Sequence, residues 1–436
     1  MSDAATVALT PEPMSSPVAP PNSPSPLPDR ARLASLDVFR GLVILSMTLV
    51  NYLSGVENIP AWLEHMPERT ATGALTDGYT FADLVFPGFL FIVGVAIPLA
   101  FEKRSVEGES RLALLKRVLI RSASLLFVGV IMVNNTRAFS AEATHVSRDL
   151  WFLLAMVTVV VLWTGFPAST SDVRKRLHLG LRIFAAVVLA VLLATFRARN
   201  EAGEIVWLQH SWWGILGLIG WAYLVSSLAY LACGGNSRAL MGMLGLLLTL
   251  YTADKHGVLD FAWLAPVHKL VGIGQVLGST AASVMMGVLV GSVFVGKNVL
   301  LSSRARVRFI FIFGVGLYVA GTLVRPLHGI NKVAATEAYS LVAGGLCCLA
   351  FLVVYVFLDV ARWQKWGVLF APVGQNALLA YILPGIIANF FEVLGMKGLL
   401  WPYTSGCAGA MNAAVLTAIV LALTWGATRI GLRLKL

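Results

Sequence analysis

His65 is the residue of this chain best suited to proton transfer, because an imidazole titrates near neutral pH. It lies in the segment Trp62-Leu63-Glu64-His65-Met66-Pro67, between two long apolar runs. An imidazole in this place could take a proton from an incoming hydroxyl or amine, or carry an acyl group itself. Position alone also leaves open an interfacial loop histidine that has no chemical role.

Asp83 and Asn51 lie near the ends of the two apolar runs that flank His65. A carboxylate at membrane depth must be paired or reach water, and His65 is the natural partner for Asp83 to orient. Alternatively, Asp83 is stabilised by the dipole of the helix that it begins. Asn51 offers a donor and an acceptor, so it could polarise an acyl carbonyl; an ordinary polar helix end is the other interpretation.

Asp37 and Arg40 precede the first apolar run at a spacing of three residues, which places them on one face of a helix and predicts an ion pair. Arg40 could instead meet a phosphate of coenzyme A. An arginine that only sets the orientation of the first span is an equal alternative.

Two later segments are dense in hydrogen-bonding side chains. The loop from 325 to 332 carries His328, Asn331 and Lys332, and we expect it to line an acceptor site. Asn376 lies in an apolar run that also contains Pro384. An amide there could bind substrate, although amides within spans more often join neighbouring helices.

The elements that position these residues are membrane helices. The chain has 436 residues, of which 58% are hydrophobic and 13% charged, a composition that excludes a soluble globular protein. About twelve runs approach the ~20 apolar residues that a spanning helix needs, and 239–254, which is short and contains glycine, is the weakest. The sequence therefore predicts an all-α polytopic bundle of about 11–12 transmembrane helices. The runs are 36–53, 80–101, 112–133, 149–166, 178–196, 211–232, 239–254, 277–296, 306–324, 338–358, 372–394 and 410–428.

The net charge of +11 does not indicate nucleic-acid binding, because the basic residues alternate with apolar runs and no soluble domain collects them. Most lysines and arginines fall on one face, so the positive-inside rule predicts that both termini are cytoplasmic. The same topology puts every histidine except His178 on the extracytoplasmic side. This placement favours proton-transfer chemistry at the outer face.

Several segments together resemble the heparan-α-glucosaminide N-acetyltransferase family, part of a wider group of membrane acyltransferases that act on sugars. The resemblance implies acetyl-CoA as a donor bound from the cytoplasmic side, an extracytoplasmic sugar or glycan as acceptor, and no metal. It also implies that a lone histidine in the first outer loop is catalytic, and His65 is the residue that matches. The segments are Ser35 to Gly41, Asn51, His65, Asp83 to Pro87, Ile330-Asn331-Lys332 and Gly374 to Tyr381.

The resulting hypothesis is a transmembrane acyltransferase domain over 32–436 behind a disordered, proline-rich cytoplasmic tail over 1–31. His65, Asp83 and Asn51 would be catalytic, Asp37 and Arg40 would contact the donor, and the residues of the two later segments would bind the acceptor. The expected location is the lipid bilayer of a bacterial inner membrane. A homodimer is the expected assembly. The alternative is a secondary transporter of a small polar solute or lipid-linked sugar, which a dozen spans with glycine and proline interruptions would also suit.

Overall fold

The computed structural model describes residues 33–135, 138–166, 171–296 and 299–434, so the predicted tail over 1–31 lies outside the described residues. These residues are mostly helical. Two π-helical stretches, Ile273–Thr280 and Val356–Val360, are continuous with the α-helices Ala281–Ser292 and Glu337–Tyr355. The helices are α1 (Ala34–Leu53), α2 (Phe81–Val106), α3 (Arg111–Asn134), α4 (Ala141–Thr144), α5 (Arg148–Trp163), α6 (Asp172–Thr195), α7 (Ile215–Ala232), α8 (Ser237–Lys255), α9 (Ala265–Leu270), α10 (Ala281–Ser292), α11 (Ser303–His328), α12 (Glu337–Tyr355), α13 (Gly367–Gln375), α14 (Ala377–Val393), α15 (Lys397–Leu400) and α16 (Gly406–Arg429).

The all-α polytopic membrane architecture predicted from the sequence is confirmed. In the described part of the chain, eight helices are long and apolar enough to cross a membrane. A ninth crossing results if α13 and α14, which meet at an angle of 82°, count as one broken span. The eight are Ala34–Leu53, Phe81–Val106, Asp172–Thr195, Ile215–Ala232, Ile273–Ser292, Ser303–His328, Glu337–Val360 and Gly406–Arg429.

This number is lower than the 11–12 spans expected from apolar runs. The run 149–166 becomes α5, whose 16 residues fall short of the ~20 that a crossing needs. The runs 112–133 and 239–254 form α3 and α8, which are helical but are not among the eight. Apolar runs therefore marked the helices, but helix length explains only the loss of the span at 149–166, because α3 has 24 residues and α8 has 19.

Glycines allow α2 and α10 to pack backbone against backbone at the centre of the bundle. Every residue of α10 is buried. A Cβ atom on Gly94 would lie 1.9 Å from the carbonyl oxygen of Val284, and one on Gly287 would lie 2.0 Å from that of Phe91. Small residues permit such close approach in membrane helices. The helix that carries Asp83 in its first turn is thus held against a helix whose residues are all buried.

The start of α1 is fixed by the region around α13. The Asp359 carboxylate accepts hydrogen bonds from the backbone N–H groups of Ala34 (3.1 Å) and Ser35 (3.0 Å) and so caps the helix. A Cβ atom on Gly374 would lie 1.9 Å from the carbonyl oxygen of Asp37. These contacts set the position of α1, which carries Asn51 at its opposite end.

Three two-residue strands, β1 (Ala138–Phe139), β2 (Ala198–Arg199) and β3 (Ile205–Val206), form a small antiparallel sheet in the order β1-β2-β3. Ala138 pairs with Arg199, and Ala198 pairs with Val206. The sheet ties the segment after α3 to the segment after α6.

Candidate active site

The loop that carries His65 is fastened to the first turn of α2. The Thr80 hydroxyl donates to the carbonyl oxygen of Glu64 (2.7 Å), and the backbone N–H of Met66 donates to Oδ2 of Asp83 (3.3 Å). These two contacts flank His65 on either side in sequence. The position of its imidazole is therefore set by α2, although the loop itself is exposed.

Asp83 is fully buried and lies 3.0 Å from the imidazole, measured from its Oδ1 to Nδ1 of His65. Its Oδ2 accepts a hydrogen bond from the backbone N–H of Thr80 (3.1 Å), which is the N-cap of α2. The Tyr339 hydroxyl donates to the carbonyl oxygen of Asp83 (2.6 Å). The two interpretations of Asp83 are therefore compatible, since it lies in the first turn of α2 and also contacts His65.

Lys332 adds a third group to this pair. Its Nζ lies 2.8 Å from Nδ1 of His65 and 3.4 Å from Oδ1 of Asp83. Burial lowers the pKa of the Lys332 ammonium, and the Asp83 carboxylate opposes this change. The sequence grouped Lys332 with acceptor-binding residues, whereas the structure places it beside the candidate base.

Because of these contacts, the presence or absence of a proton on Nδ1 of His65 determines which ring nitrogen can act as a base. When Nδ1–H donates to Asp83, Nε2 keeps its lone pair and can act as a base or a nucleophile. When the Lys332 ammonium donates to Nδ1, the proton of a neutral imidazole is on Nε2, which then becomes a donor. The arrangement can therefore prepare His65 for acid–base or nucleophilic catalysis.

A cavity of about 960 Å³ adjoins this cluster. Asn51, His65, His328 and Lys332 all line it, so four residues predicted from the sequence surround one space. Cavities of this order accommodate small ligands and cofactors. Its wall also includes apolar side chains, among them Met47, Val50, Leu90 and Leu218, and charged ones, among them Glu68, Arg69, Asp77 and Lys255.

Two of the predicted acceptor residues do not line this cavity. Asn331 is buried, and its side-chain amide donates to the carbonyl oxygens of Glu68 (2.9 Å) and Thr76 (3.0 Å). Asn376 is also buried and donates to the carbonyl oxygen of Leu432 (2.8 Å). Both amides join distant segments of the chain, which agrees with the structural interpretation of Asn376.

Asp37 and Arg40 lie toward the other end of α1. Nη1 of Arg40 is 4.0 Å from Oδ1 of Asp37, and it donates to the carbonyl oxygen of Gly374 (3.3 Å). The predicted pairing is thus present. The cavity-lining residue of α1 nearest to Asp37 is Met47, about 15 Å away along the helix axis. The predicted donor contacts are therefore separate from the cavity.

Sequence reasoning missed Glu337, whose carboxylate is buried at the first turn of α12. Its Oε1 lies 2.7 Å from Nδ1 of His328. A carboxylate at the start of an apolar run, five residues after Lys332, was the available signal. Among the described residues, no cluster of three or more histidine, cysteine, aspartate or glutamate side chains could hold a metal ion.

Comparison with known proteins agrees with the resemblance found in the sequence. Heparan-alpha-glucosaminide N-acetyltransferase from Homo sapiens is 27% identical over 386 residues, which are 83% of this chain and 54% of the human protein. The Mus musculus protein of the same name is 39% identical over 104 residues, 24% of this chain and 14% of that protein. The chain thus spans about half the length of the human relative.

The family described as a domain of unknown function, DUF5009, matches residues 32–263. The match includes His65, Asp83 and Asn51. Because it covers more than half of the 436 residues, the chain belongs to the DUF5009 family.

Proposed function

We propose that the protein is a membrane acyltransferase that passes an acetyl group from acetyl-CoA to an amine or hydroxyl of a sugar or glycan. The observation that carries the proposal is the contact between His65 and the buried Asp83 at the wall of a large cavity. The names of the human and mouse relatives support it, since both are N-acetyltransferases.

His65 is the proposed catalytic base. With Nδ1–H directed at Asp83, Nε2 removes the proton from the acceptor as its nitrogen or oxygen attacks the thioester carbonyl. The carbon–sulfur bond breaks, a carbon–nitrogen or carbon–oxygen bond forms, and the proton passes to the departing thiolate. A two-step route, in which Nε2 first takes the acetyl group and then yields it to the acceptor, uses the same residues.

Asn51 and Lys332 are the proposed electrostatic partners of this step. An oxyanion develops on the carbonyl oxygen during attack, and fixed donors stabilise it most effectively where water is excluded. Both residues line the cavity beside His65, and the Lys332 Nζ also lies 3.5 Å from the His65 Nε2. The amide of Asn51 and the ammonium of Lys332 therefore supply the donors.

Donor and acceptor are proposed to approach from opposite sides of a bacterial inner membrane. Acetyl-CoA would enter from the cytoplasm past Asp37 and Arg40, and the acceptor would enter the cavity at His328 from the extracytoplasmic side. The basic residues near α3 agree, by the positive-inside rule, with a cytoplasmic location of the membrane face on which they lie. A homodimer remains part of the proposal.

Oriented proteoliposomes test this function and separate it from the transporter alternative. Acetyl-CoA is supplied on the side of the termini, and a panel of amino sugars and sugar lipids on the other. An acyltransferase forms acetylated acceptor on the far side, detected by mass spectrometry, together with free coenzyme A on the near side. A transporter instead moves the unmodified solute across, with no release of coenzyme A.

A further inference from the structure

A second histidine–carboxylate pair lies at the wall of the same cavity. His328, at the end of α11, lines the cavity, and its Nδ1 is 2.7 Å from Oε1 of Glu337. The side chain of Glu337 is 5% exposed, whereas that of His328 is 17% exposed. A buried carboxylate thus contacts Nδ1 of a more accessible imidazole, as Asp83 does with His65.

The two pairs are built alike. Glu337 is in the first turn of α12 and Asp83 is in the first turn of α2, and these two helices pack against each other. The N-terminus of a helix stabilises a negative charge at both places. Each carboxylate therefore favours a proton on Nδ1 of its histidine, which leaves Nε2 as the basic atom.

Neighbouring side chains hold the ring of His328 in place but leave one carboxylate oxygen of Glu337 without a hydrogen bond from the described residues. The ring meets Tyr251 edge to face, with centroids 5.6 Å apart, and lies 5.5 Å from the ring of His256. Oε2 of Glu337 is buried and accepts no hydrogen bond from the described residues. Buried carboxylate oxygens are rarely left unsatisfied unless a proton, water or ligand meets them in use.

Acyl transfer to an amine that arrives protonated removes two protons from the nitrogen. An aliphatic amine arrives mainly as an ammonium ion, and its nitrogen has no lone pair until one proton is removed. A second proton leaves the nitrogen during attack and passes through His65 to the thiolate. A hydroxyl acceptor arrives neutral and needs only the second of these transfers.

We propose that His328 is a second general base of this cavity, which removes the first proton from an ammonium acceptor, and that Glu337 is its positioning residue. The inference rests on the proposed acyltransferase function. The proton moves from the acceptor nitrogen to Nε2 of His328 and then to water at the cavity mouth, while His65 remains free to serve the thioester. No oxidant or further reactant is needed.

The test compares wild type with His328→Gln and Glu337→Gln for one amine acceptor and one hydroxyl acceptor across a pH series. His268→Gln is the matched control, because His268 lies 3.5 Å from Asp254 but is not among the cavity-lining residues. Acetyl-CoA binding verifies the fold of each variant. Other titratable or charged groups near His328 are Tyr251 and Lys255 on α8, His256 immediately after α8, and the Asp77–Arg325 pair.

One pH unit below the pKa of the amine, His328→Gln should lose about 10-fold or more of wild-type turnover with the amine. The deficit should shrink as the pH rises above that pKa, because the amine then arrives deprotonated. With the hydroxyl acceptor, any loss of turnover should be smaller than with the amine and should not follow the pKa of the amine. Glu337→Gln should show the same pattern more weakly, and it carries the test if His328→Gln does not fold.

A deficit that is independent of pH, or equal for both acceptors, would overturn the role of His328 and leave the acyltransferase proposal intact. Unchanged turnover in both variants would do the same. If wild type forms no acetylated product from any acceptor, the proposed function fails and this inference fails with it.

Discussion

Nζ of Lys332 lies 2.8 Å from Nδ1 of His65, the same nitrogen that lies 3.0 Å from Oδ1 of Asp83. A neutral imidazole cannot donate to the carboxylate and accept from the ammonium through one nitrogen at the same time. The state of Lys332 therefore influences which nitrogen of His65 is basic. Lys332 also places a cation beside the proposed site of acyl transfer.

Replacement of Lys332 by arginine should move the alkaline limb of the rate profile. Burial lowers the pKa of the Lys332 ammonium, so its charge is lost at a lower pH than that of an ordinary lysine. If the charge supports catalysis, wild-type turnover falls as the pH rises through this lowered value. Arginine stays protonated, so Lys332→Arg should shift the fall to higher pH. Turnover measured from about pH 7 to 10.5 checks this shift.

Lys255→Arg is the control for that profile, because Lys255 lines the same cavity but its Nζ lies over the ring of Tyr251, 5.6 Å from the centroid. It should leave the alkaline limb in place. Superimposable limbs for wild type and Lys332→Arg would exclude Lys332 as the source of the pH dependence.

Asp83→Asn should lower turnover by about 10²- to 10⁴-fold while acetyl-CoA still binds. Asparagine keeps the shape of the side chain, but its neutral amide neither favours the Nδ1–H tautomer of His65 nor stabilises an imidazolium. Thiol release from acetyl-CoA, measured beside ligand binding, separates the two effects. Asp149→Asn, which removes only the contact with Arg148 at 3.2 Å, should behave as wild type. Wild-type turnover in Asp83→Asn would disprove a catalytic role for the His65–Asp83 contact.

Gly94→Ala should destabilise the protein, because its Cβ would lie 1.9 Å from the carbonyl oxygen of Val284 and would force α2 away from α10. Overpacking of this kind costs about 1–3 kcal/mol. Thermal unfolding in detergent should show a lower Tm. Gly242→Ala in α8 meets nothing within 4 Å and should keep or raise the Tm, since alanine favours helix. Equal melting of Gly94→Ala and wild type would contradict the packing described for these helices.

Asn376→Ala should reduce stability and leave KM for the acceptor unchanged. The Asn376 side chain donates to the carbonyl oxygen of Leu432 and accepts from the N–H of Leu434 (3.1 Å), and buried groups that lose such partners cost about 1–3 kcal/mol. Unfolding and steady-state kinetics on the same preparation measure both effects. A raised KM at wild-type stability would instead restore Asn376 to the acceptor-binding role predicted from the sequence.

Much of the candidate site could be predicted because ionisable residues are costly at membrane depth and therefore conspicuous in an apolar sequence. His65, Asp83 and Asn51 stand out at the ends of apolar runs, and the structure brings His65 to Asp83 and lines one cavity with His65 and Asn51. Helix positions followed from the same contrast. The number of spans did not, because an apolar run can form a helix, such as α3 with its 24 residues, that is not among the eight candidate spans.

The roles of polar residues in loops could not be read from the sequence. Asn331 turns toward the carbonyl oxygens of Glu68 and Thr76, more than 250 residues earlier, and only the folded loops bring these groups together. Lys332, its neighbour, reaches His65 instead. Glu337 directly precedes an apolar run in the sequence, and only the folded structure places it against His328.

The most direct test of the account is acceptor-dependent thiol release from acetyl-CoA by purified protein in nanodiscs, comparing wild type, His65→Ala and the control His268→Ala. Release by wild type and His268→Ala that is absent in His65→Ala, with acetyl-CoA still bound by all three proteins, is the expected result. Acceptor-dependent release by His65→Ala at the wild-type rate would contradict the assignment of His65 as the catalytic base.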